Sequence, residues 1–206
     1  MTEQWGFYFD GERCIGCHAC TQACRVRNDL DADDDVAWRN VVHVSEGTFP
    51  DYEERSVSMS CYHCADPPCR DVCPTHALEK RAEDGIVTVD RDVCIGCNYC
   101  SYACPYGAVQ FGEEGLAQKC HGCLGAGPGD GNGTPQRSES ETARQTPACV
   151  DNCVTGALDA GPIGEFLEEA SEEAAAAYRQ REDGAAVVTE PRVHDRDRER
   201  SEGEDR

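Results

Sequence analysis

Apolar and polar residues alternate in this chain only over short runs, and no apolar stretch is long. Residues 5–13, WGFYFDGER, predict a short strand leading into Cys14, and residues 84–93, DGIVTVDRDV, predict its equivalent leading into Cys94. Further short strands are expected at Ala108–Phe111 and Ala157–Leu158, each following a cysteine block. From residue 36 to 58 the alternation runs around Trp38, Val42, Val44 and Val57 with a turn at Gly47–Pro50, the pattern of an inserted hairpin. Residues 124–147 are Gly, Ser, Thr and Pro with almost nothing apolar, so a surface loop is expected there. After Pro162 an Ala- and Glu-rich run predicts one helix over 163–184, with Phe166, Leu167 and Tyr178 for packing and Gly184 closing it. Residues 185–206 carry mixed charge without apolar content and read as a disordered tail. No run approaches the ~20 apolar residues that span a bilayer, so direct membrane insertion is not expected.

The sixteen cysteines change this picture most. They fall into four blocks: Cys14, Cys17, Cys20 and Cys24; Cys61, Cys64, Cys69 and Cys73; Cys94, Cys97, Cys100 and Cys104; and the stretched set Cys120, Cys123, Cys149 and Cys153. Blocks one and three read C-x2-C-x2-C-x3-C, the spacing of bacterial ferredoxins, in which the fourth cysteine ligates the other cluster. Pro74 and Pro105 complete the C-P ending of that run. Disulfides belong to small secreted domains, and the start MTEQWGFYFDGERC has no basic stretch followed by an apolar run. Structural zinc wants two C-x2-C pairs across a spacer, whereas three or four cysteines crowd here into about ten residues. A redox dithiol would explain one C-x2-C, not this repetition. Four 4Fe-4S clusters with no thiolate left over are the expectation.

Forty acidic against nineteen basic residues give a formal charge of −21. Such self-repulsion is tolerated where salt screens it, since the Debye length falls to about 3 Å at 1 M ionic strength, and a halophilic source is inferred. There is no basic stripe for phosphates, so nucleic acid is not an expected partner. At 39% hydrophobic and 7% aromatic residues a large conventional core is out of reach. Metal ligation must stand in for it, and the metal-free chain should be largely disordered.

The segments QWGFYFDGERCIGCHACTQAC, SMSCYHCADPPCRDVCPTHAL, RDVCIGCNYCSYACPYGAVQF and QKCHGC followed by PACVDNCVTGALDAGPI resemble the cysteine blocks of one family. It comprises the four-cluster iron-sulfur electron-transfer subunits of the dimethyl sulfoxide reductase family of molybdopterin oxidoreductases. The likeness spans roughly residues 4–170, with the dimethyl sulfoxide reductase iron-sulfur subunit of a halophilic archaeon as the member expected. It implies an α+β fold: two interleaved ferredoxin-like modules, each holding two 4Fe-4S clusters, with an inserted hairpin and a C-terminal helix. Residues 1–24 and 112–162 would form the outer module, 25–60 the inserted hairpin region, 61–111 the inner module, 163–184 the helix and 185–206 the tail.

The resemblance also implies that blocks one and four pair, as do blocks two and three. Cys14, Cys17, Cys20 and Cys153 would then hold cluster 1, and Cys24, Cys120, Cys123 and Cys149 cluster 2. Cys94, Cys97, Cys100 and Cys73 would hold cluster 3, and Cys61, Cys64, Cys69 and Cys104 cluster 4. With every thiolate position filled, His18, His63 and His121 read as hydrogen-bonding or solvent-facing groups, not ligands. Tyr99, Tyr102 and Tyr106 are expected to shield a cluster from water. Gly16, Gly96, Gly107 and Gly122 are expected to let backbone amides turn toward sulfur.

No nucleophile with an adjacent base, phosphate loop or substrate-pocket motif is present in the sequence, so no catalytic site is expected. The implied function is an electron relay between a quinol-oxidising membrane anchor and a molybdopterin catalytic subunit, reducing dimethyl sulfoxide or trimethylamine N-oxide. A related polysulfide, thiosulfate, tetrathionate or nitrite reductase or formate dehydrogenase complex, or a free polyferredoxin carrier, are the alternative readings. No twin-arginine signal stands near the start; Arg25 and Arg27 are not one. Family members can be exported bound to a signal-bearing partner, so a membrane-associated complex on the extracytoplasmic face is expected, with the cytoplasmic face as the alternative.

Overall fold

The computed structural model describes residues 4–30, 35–124 and 146–168. The elements below lie in the unit that ends at Phe166. Its strands are β1 (Trp5–Phe9), β2 (Arg39–Thr48), β3 (Asp51–Ser60), β4 (Leu78–Lys80), β5 (Val87–Val89), β6 (Gln110–Phe111), β7 (Ala117–Gln118) and β8 (Leu158–Pro162). Its helices are α1 (Ala19–Arg27), α2 (Pro68–Asp71), α3 (Tyr99–Ala103) and α4 (Ala148–Asp151). The result is a small mixed α/β chain in which no sheet among the described residues exceeds two strands.

Four antiparallel ribbons organise the cysteine blocks. β2–β3 joins block one to block two, β4–β5 joins two to three, and β6–β7 joins three to four. β1 and β8 then pair across the whole chain, Trp5 opposite Pro162 and Phe9 opposite Leu158, which returns the end of block four to the start of block one. Helices α1 and α4 also pack together. Isolated two-stranded ribbons are marginal in water, so these depend on what lies between them. The buried residues form three small clusters, and each contains cysteines alongside residues such as Trp38, Val41, Leu78, Val87 and Leu158.

The expected strand entering block one is present as β1, and the one entering block three is shortened to β5. The inserted hairpin spans Arg39–Ser60 around Phe49 and Pro50. Val42 and Val44 are exposed, while Arg39 and Val41 point inward, because the strand's alternate positions Arg39 and Val41 face Ser60 and Ser58 across the ribbon. Residues 163–168 are helical, the beginning of the expected 163–184 helix. The rest of that helix, the expected loop over 125–145 and the 185–206 tail lie outside the described residues.

Candidate metal centres

The third cysteine of every block occupies the same structural position. Cys20, Cys69, Cys100 and Cys149 are each the second residue of a short helix, and all four are buried. The chain enters those helices in two ways. In blocks one and three, His18 and Asn98 take left-handed backbone conformations at φ 59° and 63°, a region that His and Asn visit more readily than most residues. In blocks two and four an extended proline, Pro67 or Pro147, precedes the helix instead. Gly96, at φ 67°, lies between Cys94 and Cys97 where a Cβ would run into the Gly115 carbonyl oxygen. Glycine alone meets both demands.

Cysteines from different blocks converge. One recess of about 270 Å³ is lined by Cys94, Cys97 and Cys100 together with Cys73 from the preceding block. Another, of about 340 Å³, is lined by Cys61, Cys64 and Cys69 together with Cys104, walled by Pro67, Pro68, Val87 and Val109. Cys24 is buried, and the thiols acting on it electrostatically are Cys120, Cys149 and Cys123. Cys20 shares a buried cluster with Cys149 and Leu158, against which Cys153 packs. Cys14 and Cys17 lie on the loop between β1 and α1, with Cys17 exposed.

Polar groups are aimed at sulfur. The Gly122 amide donates to Cys120 Sγ at 3.4 Å, as expected of that glycine, and the Ala108 amide donates to Cys104 Sγ at 3.4 Å. The Ala117 amide donates to Cys94 Sγ at 3.5 Å, and Asn28 Nδ2 to Cys24 Sγ at 3.6 Å. Thr75 Oγ1 lies 3.7 Å from Cys73 Sγ and Thr155 Oγ1 3.9 Å from Cys153 Sγ. For both of these thiols burial works upward, but the amides of Leu78 and Leu158 and the two hydroxyls outweigh it and hold them below the ordinary thiol value. Burial instead pushes Cys120 up to about 12 and Cys100 up to about 11, and it raises Cys24, Cys69 and Cys149 as well. Such thiols must lose their protons to bind metal, so loading releases protons.

Among the described residues Arg39 Nε and Thr21 Oγ1 are buried beside block one without a hydrogen-bond partner. Clustered cysteines, inward amides and spare buried donors fit a sulfur-rich inorganic group, since hydrogen bonds to cluster sulfur tune its potential.

Three cations stand in this otherwise acidic chain close to cysteines. Arg39 is only 2% exposed and bonds Ser58 Oγ at 3.0 Å and Ser60 Oγ at 2.9 Å, its guanidinium 4.4 Å above the Phe7 ring. Desolvated, a cation–π contact of this kind contributes about 2 kcal/mol. Lys119 is buried, its ammonium held by the Val87 carbonyl and by that of Cys120 at 3.1 Å. Lys80 donates to Gln4 Oε1 at 2.7 Å, the Cys64 carbonyl at 2.8 Å and the Gly85 carbonyl at 2.9 Å. These are the only two lysines in the sequence, and the cysteine spacing points to neither of them, nor to Arg39. A lysine-poor chain that keeps lysine beside cysteines is the signal that could have found them.

The histidines behave as hydrogen-bonding groups. His63 Nδ1 accepts from the Val87 amide at 3.1 Å, His121 packs edge-on against Trp38, and His18 Nε2 meets His43 Nε2 at 3.3 Å. The tyrosines do not shield block three: Tyr102 is 85% exposed and Tyr99 is also exposed, because α3 turns Cys100 inward and so directs its other faces to solvent. Tyr106 lines the recess of Cys104 and packs edge-on against Tyr62, yet remains half exposed.

Comparison with known proteins agrees with this chemistry. Residues 53–163 match the model of the 4Fe-4S dicluster domain, and residues 5–26 match that of a 4Fe-4S binding domain. The chain is 40% identical over 206 residues to the B subunit of the anaerobic dimethyl sulfoxide reductase of Escherichia coli (strain K12), covering 94% of this chain and 85% of that one. It is 41% identical over 172 residues to the formate dehydrogenase iron-sulfur subunit of Wolinella succinogenes, covering 75% and 80%. It is 35% identical over 190 residues to a thiosulfate reductase electron transfer subunit of Salmonella typhi, covering 92% of each.

Proposed function

Because this chain belongs to the 4Fe-4S family of iron-sulfur subunits that includes the B subunit of anaerobic dimethyl sulfoxide reductase, we propose that it carries single electrons through four 4Fe-4S clusters between a quinol-oxidising membrane anchor and a molybdopterin catalytic subunit. It is an electron-transfer subunit of an oxidoreductase complex and not the catalytic one. The observation that carries the proposal is the convergence of Cys73 on the recess of block three and of Cys104 on that of block two. A fourth cysteine crossing to the other cluster is how a ferredoxin-type module brings two clusters close. We extend that crossing to all four blocks and propose the ligand sets Cys14, Cys17, Cys20 and Cys153; Cys24, Cys120, Cys123 and Cys149; Cys94, Cys97, Cys100 and Cys73; and Cys61, Cys64, Cys69 and Cys104. In this reading blocks one and four form the outer module and blocks two and three the inner one, an interleaving supported by the β1–β8 pairing that brings the end of block four to the start of block one.

When bound, the clusters supply one-electron carriers, and the protein supplies their setting. Amides from Gly122, Ala108 and Ala117 donate to cysteine sulfur, and Arg39, Lys119 and Lys80 place positive charge near the cysteines. No helix among the described residues is long and apolar enough to cross a membrane, so the membrane would be reached through the anchor. The exposed apolar side chains Tyr62, Ile95, Tyr99, Tyr102 and Tyr106 along blocks two and three suit a hydrophobic partner. The substrate of the reductase is proposed to be dimethyl sulfoxide or trimethylamine N-oxide, in a complex on the extracytoplasmic face. The formate dehydrogenase relative favours a second reading, the same relay feeding quinone in the opposite direction.

Tagged and solubilised from its native membranes in molar potassium chloride, the chain should recover a molybdopterin protein and a hydrophobic quinol-binding protein in equal amounts. Recovery as a lone iron-sulfur protein would point to a free carrier. The charge of −21 also leads us to propose adaptation to high salt, so the same preparation should melt at rising temperature as salt rises. A flat response would remove the halophilic reading.

A further inference from the structure

Arg39 poses an energetic problem that the relay alone does not answer. It is 2% exposed, in a chain that carries forty acidic residues, yet among the described ion pairs none involves it. A buried charge without an anion is strongly disfavoured, and neutral partners such as Ser58, Ser60 and the Phe7 ring only soften the cost. The groups acting on it that turn anionic on metal loading are the sulfurs of Cys149, Cys120, Cys24 and Cys20. Ser58 Oγ, which takes one guanidinium bond, lies 3.6 Å from Cys20 Sγ. Phe7, beneath the guanidinium, packs against both buried clusters that hold Cys24 and Cys120 on one side and Cys20 and Cys149 on the other. The Arg39 guanidinium also acts electrostatically on the Cys149 thiol, against the upward push of burial.

We propose that Arg39 is a potential-setting residue: a buried cation lodged between the cysteines of blocks one and four that makes reduction of the clusters bound there easier. The inference rests on the cluster assignment proposed above. Adding an electron adds negative charge to a cluster, and a fixed positive charge in a low-dielectric interior favours the reduced state over the oxidised one. Nε–H has no acceptor among the described protein groups, which leaves it available to donate to a bound cluster. Arg39 itself exchanges no electron. It acts on the clusters through field and hydrogen bonds, as a positioning residue. Lys80 is held by the Cys64 carbonyl beside block two and Lys119 by the Val87 and Cys120 carbonyls, whereas the sulfurs that act on Arg39 are those of Cys149, Cys120, Cys24 and Cys20, so its influence should be greatest on blocks one and four.

The test is a redox titration of the purified complex monitored by paramagnetic resonance, with clusters assigned through cysteine-to-serine variants. For Arg39→Gln, the reduced-to-oxidised ratio of at least one block-one or block-four cluster at fixed ambient potential should fall tenfold or more, equivalent to about 59 mV or more for a one-electron couple. The clusters of blocks two and three should stay where they are. Arg39→Lys keeps the charge but reaches less far and cannot span both serines, so its shift should run in the same direction and be smaller. If the glutamine variant loads no clusters, the lysine variant decides by the same criterion. No shift in a variant that loads, equal shifts for lysine and glutamine, or equal shifts in all clusters would overturn the proposal. A wild-type complex with no clusters on blocks one and four would instead overturn the assignment beneath it.

Discussion

Cys100→Ser should split two activities that normally run together. Cys100 is buried at the start of α3 and lines the recess shared with Cys94, Cys97 and Cys73. Serine at that position leaves the fold's local geometry in place while replacing a soft thiolate by a harder, poorer ligand. The affected cluster would be lost or would fall in potential, and each ~59 mV of mismatch costs a factor of about ten in the populated carrier. We propose that the blocks two and three pair, which carries the exposed Tyr62, Ile95, Tyr99, Tyr102 and Tyr106, faces the membrane anchor and that the blocks one and four pair faces the molybdopterin subunit. Quinol-driven substrate reduction should therefore drop at least about tenfold, while an artificial donor acting directly on the molybdopterin subunit should still support turnover. Loss of both activities in an intact complex, or of neither, would rule out the linear relay and this orientation.

A second large effect is expected from Cys24→Ser, and it should appear away from its own block. Cys24 follows Cys20 by one helical turn of α1, yet the thiols that act on it are Cys120, Cys149 and Cys123. Serine there should abolish or convert the cluster of block four, removing up to about a quarter of the bound iron, and leave the signal of the Cys14, Cys17, Cys20 and Cys153 set intact. Resonance spectra in which the Cys14 set is the one perturbed would reverse the assignment of cross-ligation between blocks one and four.

The cysteine blocks, the strand before Cys14 and the hairpin after block one could be read from the chain because each is a local pattern: fixed spacing, alternation, and turn residues such as Gly47 and Pro50. The features that went unread are those set by distant parts of the chain. Val42 and Val44 carry the stronger apolar signal, but Arg39 and Val41 are the buried pair, because the inner face of the hairpin is chosen by Phe7, Ser58 and the cysteines of blocks one and four. A guanidinium would ordinarily be assigned to the surface. Only folding brings sulfur from residues 20 and 149 to it, and no local pattern announces that meeting. Tyr102 shows the converse. Proximity to Cys100 and Cys104 in sequence suggests a shield, whereas one helical turn is enough to send its ring into solvent.

Iron and acid-labile sulfide bound by the anaerobically purified chain test the four-cluster proposal most directly. Sixteen cysteines in four sets should hold about sixteen of each per chain, with a broad visible absorption that dithionite bleaches. Zinc in the cysteine sites in place of iron, or iron without matching sulfide, would contradict it.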